Sequence, residues 1–265
     1  MDTSPLTFAQ SAAYAPRLDV LESTGSTNAD LVAAVSTAPY EWPEGSVLVT
    51  TDQRHGRGRL DREWTTPPGS ALAVSVLVHA DGLPMEARGW LSLISGMAMT
   101  RAVARVLRAT SHTVELKWPN DVLVDGKKIC GILAEAVRTD DVDGIVIGAG
   151  LNTTMTLEQL PVETATSFAA LGIEVDVDLL LSAYLFTLEE RWGALRATGG
   201  NPYTAGVHVE VAAVCGTLGR QVRVHLPGDA LLEGEATGID AFGRLEVTTA
   251  DGVVTVSAGD VVHVR

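Results

Sequence analysis

The run Lys117-Trp118-Pro119-Asn120-Asp121-Val122-Leu123-Val124-Asp125-Gly126-Lys127-Lys128-Ile129-Cys130-Gly131-Ile132-Leu133 decides the fold class. Pro119 sets a turn between two short β-rich pieces, residues 114–116 and 122–124. Asp125-Gly126 supplies the positive φ angles of a tight hairpin turn, so 122–124 and 127–136 read as its two arms. Outward from this hairpin, residues 143–151 form another buried strand that ends in Gly148-Ala149-Gly150. Residues 46–51 and 71–79 are apolar runs of strand length. Helices alternate with them. Ser26-Thr27-Asn28 offers capping oxygens to a helix over 29–35, and 87–108 places Leu91, Ile94, Ala98, Ala102 and Val106 at mostly helical spacing. Residues 178–196 resume that period. Residues 1–20 show little periodicity and read as a short arm. Past residue 206 five short β-runs recur at 221–226, 231–239, 244–248, 253–257 and 261–264, which suits a small barrel. The sequence therefore predicts an α+β domain followed by a small all-β domain, divided as an arm (1–22), the α+β domain (23–205) and a barrel (206–265).

Composition bounds the function. The 265 residues are 46% hydrophobic and 20% charged, with mean hydropathy +0.19, a balance typical of packed proteins. A chain of this length buries roughly 70–75% of its unfolded surface, enough for one large and one small domain. A formal charge of −14 and a pI of 4.7 argue against general affinity for nucleic acid or anionic membranes, because phosphate binding draws on excess Lys and Arg. Two cysteines, Cys130 and Cys215, exclude a disulfide framework and a four-thiolate zinc site. The opening Met1-Asp2-Thr3-Ser4 lacks the basic and apolar regions of a signal peptide. The apolar run 71–78 is far shorter than the roughly 20 residues of a membrane helix. The expected address is the cytoplasm.

Three segments carry chemistry. Gln53-Arg54-His55-Gly56-Arg57-Gly58-Arg59-Leu60-Asp61-Arg62-Glu63-Trp64 gathers four of the chain's 19 basic residues into a dozen positions, a local reversal of its charge. Its glycines expose backbone amides, and the guanidiniums of Arg57, Arg59 and Arg62 suit two-pronged contacts to carboxylate or phosphate. A solvated loop or an Arg-Gly segment for RNA would read the same way. Lys117 to Asp121 offers Asp121 for Mg²⁺, Asn120 and Lys117 for phosphates and Trp118 as packing; as turn-formers alone, Asn-Asp would do equally well. In Lys127 to Leu133 a lysine opens a strand and a glycine lets a group press against it. Gly148-Ala149-Gly150 lacks the third glycine of a dinucleotide fingerprint, and the histidines show no metal-ligand spacing. Cys130 reads as a small buried residue facing the site.

Taken in order, Ser26-Thr27-Asn28, Gln53-x-x-Gly56-Arg57-Gly58-Arg59, Lys117-Trp118-Pro119-Asn120-Asp121, Lys128-Ile129-x-Gly131-Ile132-Leu133 and Gly148-x-Gly150-Leu151-Asn152 resemble the biotin–protein ligases over about nine tenths of the chain. The resemblance implies a mixed β-sheet with flanking helices, related to class II aminoacyl-tRNA synthetase cores, and a C-terminal SH3-like barrel. It implies that ATP and biotin form biotinoyl-5′-AMP with Mg²⁺. Biotin then passes to a lysine on the biotin carboxyl carrier domain of an acyl-CoA or pyruvate carboxylase. It places Ser26, Thr27, Asn28, Gln53, Arg57, Gly58, Arg59 and Lys128 around biotin, with Lys128 and Arg59 in catalytic roles. Arg62, Trp64, Lys117, Asn120, Asn152 and Arg265 fall to the nucleotide and Asp121 to the metal. Leu60-Asp61 departs from the family's pattern, where a basic or polar residue and a glycine are usual; altered ordering or slower closure of the loop is the expectation. About 20 residues leave no room for the winged helix that makes some members repressors, so a ligase-only form is expected.

Two rivals are weighed against this. A lipoate or octanoate ligase or transferase shares the core fold, but the Arg-Gly-Arg loop and the Lys-Trp-Pro-Asn-Asp segment favour biotin. A non-enzymatic RNA-binding module is opposed by the net charge and by the lack of an aromatic-basic stripe.

Overall fold

The structure, a computed structural model, describes residues 7–59, 62–226, 230–257 and 259–264. In chain order its elements are β1 (Leu18–Leu21), α1 (Thr27–Thr37), β2 (Val47–Thr50), β3 (Gly56–Arg57), β4 (Glu63–Trp64), β5 (Ala71–His79), α2 (Trp90–Val106), β6 (Val114–Lys117), β7 (Asp121–Val124), β8 (Lys127–Arg138), β9 (Asp143–Asn152), α3 (Val177–Ala197), α4 (Val207–Val214), β10 (Gln221–His225), β11 (Leu231–Ile239), β12 (Leu245–Thr249), β13 (Gly252–Val256) and β14 (Asp260–His263).

Seven strands form a mixed sheet in the order β1-β2-β5-β9-β8-β7-β6. Only β1 and β2 run parallel; every other neighbouring pair is antiparallel. Alternation along the central strands gives the sheet two unlike faces. One face carries Leu72, Val74, Val76, Ile147, Leu151 and Ile132 into the main core, where α2 lies against the sheet and α3 packs on α2. The helix α2 buries nearly its whole circumference, and Leu181, Leu185, Leu188 and Trp192 of α3 complete the layer. The other face is only half covered. There α1 sets Leu31 and Val35, one turn apart, against Leu48, Leu77 and Val146. The rest of that face stays open, and the candidate site lies there.

The helix α1 starts where the sequence offers a cap. Ser26 is extended and its Oγ accepts from Ala29 N at 3.4 Å, with Asp30 in the first turn. Besides the two-residue strands β3 and β4, two elements escaped the sequence reading. Residues 18–21, assigned to the arm, form the edge strand β1, and residues 207–214, assigned to the barrel, form the helix α4 against α2 and β6. The five C-terminal strands form an antiparallel sheet ordered β13-β12-β11-β10-β14. Among the described residues no pairing joins β13 to β14, so the structure supports a five-stranded sheet and leaves the closed barrel unconfirmed.

That sheet is tied to the core by two indoles. Trp118 donates from Nε1 to Gly243 O at 3.0 Å, and Trp90 donates from Nε1 to Ala241 O at 2.8 Å, so both hold the β11–β12 turn. Trp118 N also donates to Thr217 Oγ1 at 3.0 Å. Trp118 and Trp90 are fully buried. Among the described residues no helix is long and apolar enough to cross a membrane.

Candidate active site

The open face is floored by small residues. Gly148 and Gly150 of β9 lie opposite Ser75 and Ala73 of β5 on one side and Leu133 and Gly131 of β8 on the other. A Cβ at Gly148 would fall 2.3 Å from Asn28 Oδ1, and one at Gly150 would fall 2.8 Å from the Trp64 ring. Only glycine lets the start of α1 and the indole rest directly on the strand. Gly148-Ala149-Gly150 is thus a bare floor for other residues and makes no phosphate loop of its own.

The Arg-Gly segment folds over this floor as a short hairpin, with β3 paired to β4 and Gly58 N donating to Arg62 O at 2.6 Å. Gln53 anchors its base: its Oε1 accepts from Thr27 N at 2.9 Å and from Thr27 Oγ1 at 3.1 Å. Leu60 and Asp61, where the sequence departs from pattern, lie outside the described residues. Arg59 reaches across the cleft, donating to Asn120 Oδ1 at 3.0 Å and to Gly259 O at 3.4 Å. Asn120 is itself fixed by donation from Nδ2 to Ile132 O at 2.7 Å.

Lys128 owes its direction to a β-bulge. The β7–β8 register slips between Val122 and Leu123, leaving Ile129 as an extra residue on β8. Ile129 and Cys130 therefore both enter the apolar core, while Lys128 turns to the cleft, its Nζ 2.5 Å from Asp121 Oδ1. Cys130 corrects the expectation that it faces the site. Burial in the core pushes its thiol up to about 12, with the neighbouring Lys128 charge only partly opposing this, so it stays protonated at neutral pH.

Ser26, Thr27, Asn28, Gln53, Arg57, Gly58, Arg59, Arg62, Trp64, Lys117, Asn120, Asp121 and Lys128 all line one cleft. Five of the chain's 19 Lys and Arg are among them, so a strongly acidic protein turns a cationic surface to whatever enters. Asn152 stands apart. It is buried at the end of β9, outside the cleft lining, donating from Nδ2 to Thr166 O at 2.9 Å while its Oδ1 has no hydrogen-bond partner. Arg265 lies outside the described residues; among those described, Gly259 brings the C-terminal region to the cleft. Among the described residues no cluster of three His, Cys, Asp or Glu could hold a metal ion. The carboxylate of Asp121 suits an ion that arrives with a polyphosphate, since Mg²⁺ takes one or two protein carboxylates and draws its other ligands from phosphates and water.

Sequence reasoning missed Ser75 and Glu135. Ser75 Oγ lies 2.7 Å from Thr27 Oγ1 and 2.6 Å from Asn28 Oδ1, and Glu135 touches both Asn28 and Arg57. Each carried a signal: Ser75 is the only hydroxyl in the apolar run 71–78, and Glu135 the only charge from 129 to 137.

Comparison with known proteins agrees in extent with this architecture. Residues 20–152 match the model of the Biotin/lipoate A/B protein ligase family, and residues 217–264 match that of the Biotin protein ligase C terminal domain. The chain is 40% identical over 251 residues to a Biotin–[acetyl-CoA-carboxylase] ligase of Mycobacterium tuberculosis, covering 94% of this chain and 90% of that one. Its fold superposes on a biotin protein ligase from Aquifex aeolicus in complex with biotin and ATP with TM-score 0.72 at 24% identity, covering 94% of this chain and 99% of the other. A Leishmania major biotin protein ligase in complex with biotinyl-5-AMP superposes with TM-score 0.59 at 25% identity, covering 92% and 99%.

Proposed function

Because the chain belongs to the Biotin/lipoate A/B protein ligase family, we propose that its cleft joins biotin, through biotinoyl-5′-AMP, to a lysine of a carrier domain at the expense of ATP. The protein is a biotin ligase with biotin and ATP as substrates. The observation that carries this reading is the cleft itself: five cationic side chains, a helix N-terminus and an indole converge over a glycine floor.

The substrates divide along the cleft. Ser26, Thr27, Asn28 and Gln53, at the start of α1, take the polar ring end of biotin. Arg57, Gly58 and Arg59 cover it, and Lys128 meets its carboxylate. Trp64 stacks on adenine, with Asn120 and Arg265 as further nucleotide contacts, while Arg62 and Lys117 take phosphates. Asp121 holds the Mg²⁺ that enters with ATP.

In the first step a biotin carboxylate oxygen forms a bond to the α-phosphorus as the bond to pyrophosphate breaks. Two anions must meet, and Lys128, Arg59 and Lys117 lower that repulsion and stabilise charge on the α-phosphoryl oxygens. No base is needed, since the carboxylate is already ionised at neutral pH. In the second step a lysine amine attacks the acyl carbon, the C–N bond forms, AMP leaves, and the amine's proton passes to solvent. A closed hairpin keeps water from the mixed anhydride.

The finer readings follow the same family. The C-terminal sheet is an SH3-like barrel, the core belongs with class II synthetase cores, the carrier is the biotinyl domain of an acyl-CoA or pyruvate carboxylase, and the chain works in the cytoplasm.

Incubation with MgATP and biotin, lipoate or octanoate, read by mass spectrometry, tests the assignment. A biotin-only adenylate is expected. An adenylate with lipoate or octanoate would overturn the substrate assignment, and none with any acid would overturn the reaction.

A further inference from the structure

Glu135 stands behind the cleft wall, in the middle of β8 and opposite Val146 of β9. It does not line the cleft, yet it touches two residues that do. Its Oε1 lies 3.0 Å from Arg57 Nη2, and its Oε2 accepts from Asn28 Nδ2 at 2.8 Å. These partners come from different elements: Arg57 from the hairpin, Asn28 from the first turn of α1.

The rest of the Asn28 amide is also committed. Its Nδ2 donates to Leu133 O at 3.2 Å, and its Oδ1 accepts from Ser75 Oγ. With acceptors at one end and a donor at the other, the amide has a single orientation. Asn28 is 5% exposed and both of its N–H donors are committed, so it helps to fix the floor that it lines. A chain of contacts thus runs Gln53–Thr27–Ser75–Asn28–Glu135–Arg57, leaving the hairpin at its base and returning to it in β3.

We propose that Glu135 is a positioning residue that latches the Arg-Gly hairpin to the start of α1, so that the acid-binding and phosphate-binding ends of the cleft are built as one unit. This rests on the adenylate-forming reading given above. The chemistry demands a carboxylate: both oxygens accept, whereas an amide must point an N–H at either Arg57 or Asn28.

The test uses the full chain. In ligand-free protein, Glu135→Gln should speed amide hydrogen exchange across residues 53–64 with little change in Tm, a readout that needs no substrate. With biotin and MgATP, KM for biotin should rise and preformed biotinoyl-AMP should leave faster, each by about tenfold, the scale of one lost charge-assisted hydrogen bond. The rate of pyrophosphate release at saturation should fall less than threefold. Glu135→Asp, which keeps both acceptors, should recover most of the retention. In an Arg57→Ala background the Glu135→Gln effect on adenylate loss should shrink below twofold, while its effect on KM, carried through Asn28, persists. Unchanged exchange with unchanged KM would overturn the latch, as would equal defects in the Gln and Asp variants or a uniform loss that tracks a lowered Tm. Failure of the unsubstituted protein to form adenylate would instead overturn the functional reading, with the exchange measurement still judging the latch.

Discussion

Lys128 faces the cleft because of one inserted residue. Without the bulge at Ile129, strand alternation would send Lys128 into the core with Cys130. Its amine pairs with Asp121, and both must rearrange when an anionic substrate arrives. Lys128→Ala should therefore cut pyrophosphate release by at least about 100-fold, the usual loss when one preorganised charge is removed from a transition state, with circular dichroism unchanged. Arg59 bridges Asn120 and Gly259 over the cleft, so Arg59→Gly should raise release of free biotinoyl-AMP and labelling of bystander lysines. Equal release by both proteins would count against that clamp. Gly150→Ala places a methyl group against the Trp64 ring, and KM for ATP should rise well above that for biotin. That these residues gather in one cleft was mostly legible in the sequence, because the motifs mark them. Glu135 was not: its meaning lies in two partners 78 and 107 positions away, a juxtaposition that only the folded sheet creates.

At the level of elements, the sequence showed what repeats and hid what is short. Long apolar strands and the α2 and α3 periods were readable because burial imposes a period on them. The four residues of β1, half-buried at the edge, show no alternation, and β3 and β4 have two residues each. The N-terminal 3₁₀ turn, Ser11–Tyr14, is held by chemistry no period reveals. Asp178, buried at the start of α3, accepts from Gln10 N at 2.9 Å, Ser11 N at 2.8 Å and Ser11 Oγ at 2.7 Å. Burial alone would raise its pKa, but those hydrogen bonds outweigh it and hold the carboxyl below its ordinary range. Asp178→Ala should cost about 2–3 kcal/mol in urea unfolding, the scale of a lost buried charged acceptor, and leave pyrophosphate release near its starting rate.

Over the whole molecule, the junction between the core and the C-terminal sheet also carries a titratable group. His263 of β14 lies by Thr217 and Arg220, at 3.2 and 3.1 Å. Burial first, then the charges of Arg220 and Lys117, push its pKa down to about 4 from an ordinary 6.5. As pH falls, the unfolded chain takes up this proton first. The stability His263 confers is complete above pH 6.5 and drains away as pH falls toward 4. Denaturation midpoints should drop through that window, and His263→Gln should flatten part of the slope.

The placement of the indoles has an optical consequence. Of five tryptophans, Trp42, Trp90, Trp118 and Trp192 are buried, and only Trp64, on the glycine floor of the cleft, is partly open to solvent. Acrylamide should quench one emitter and spare four, so the quenchable fraction of the intrinsic fluorescence belongs to the cleft. Adding ATP should shield that fraction, turning a residue that packs the site into an unlabelled gauge of its occupancy.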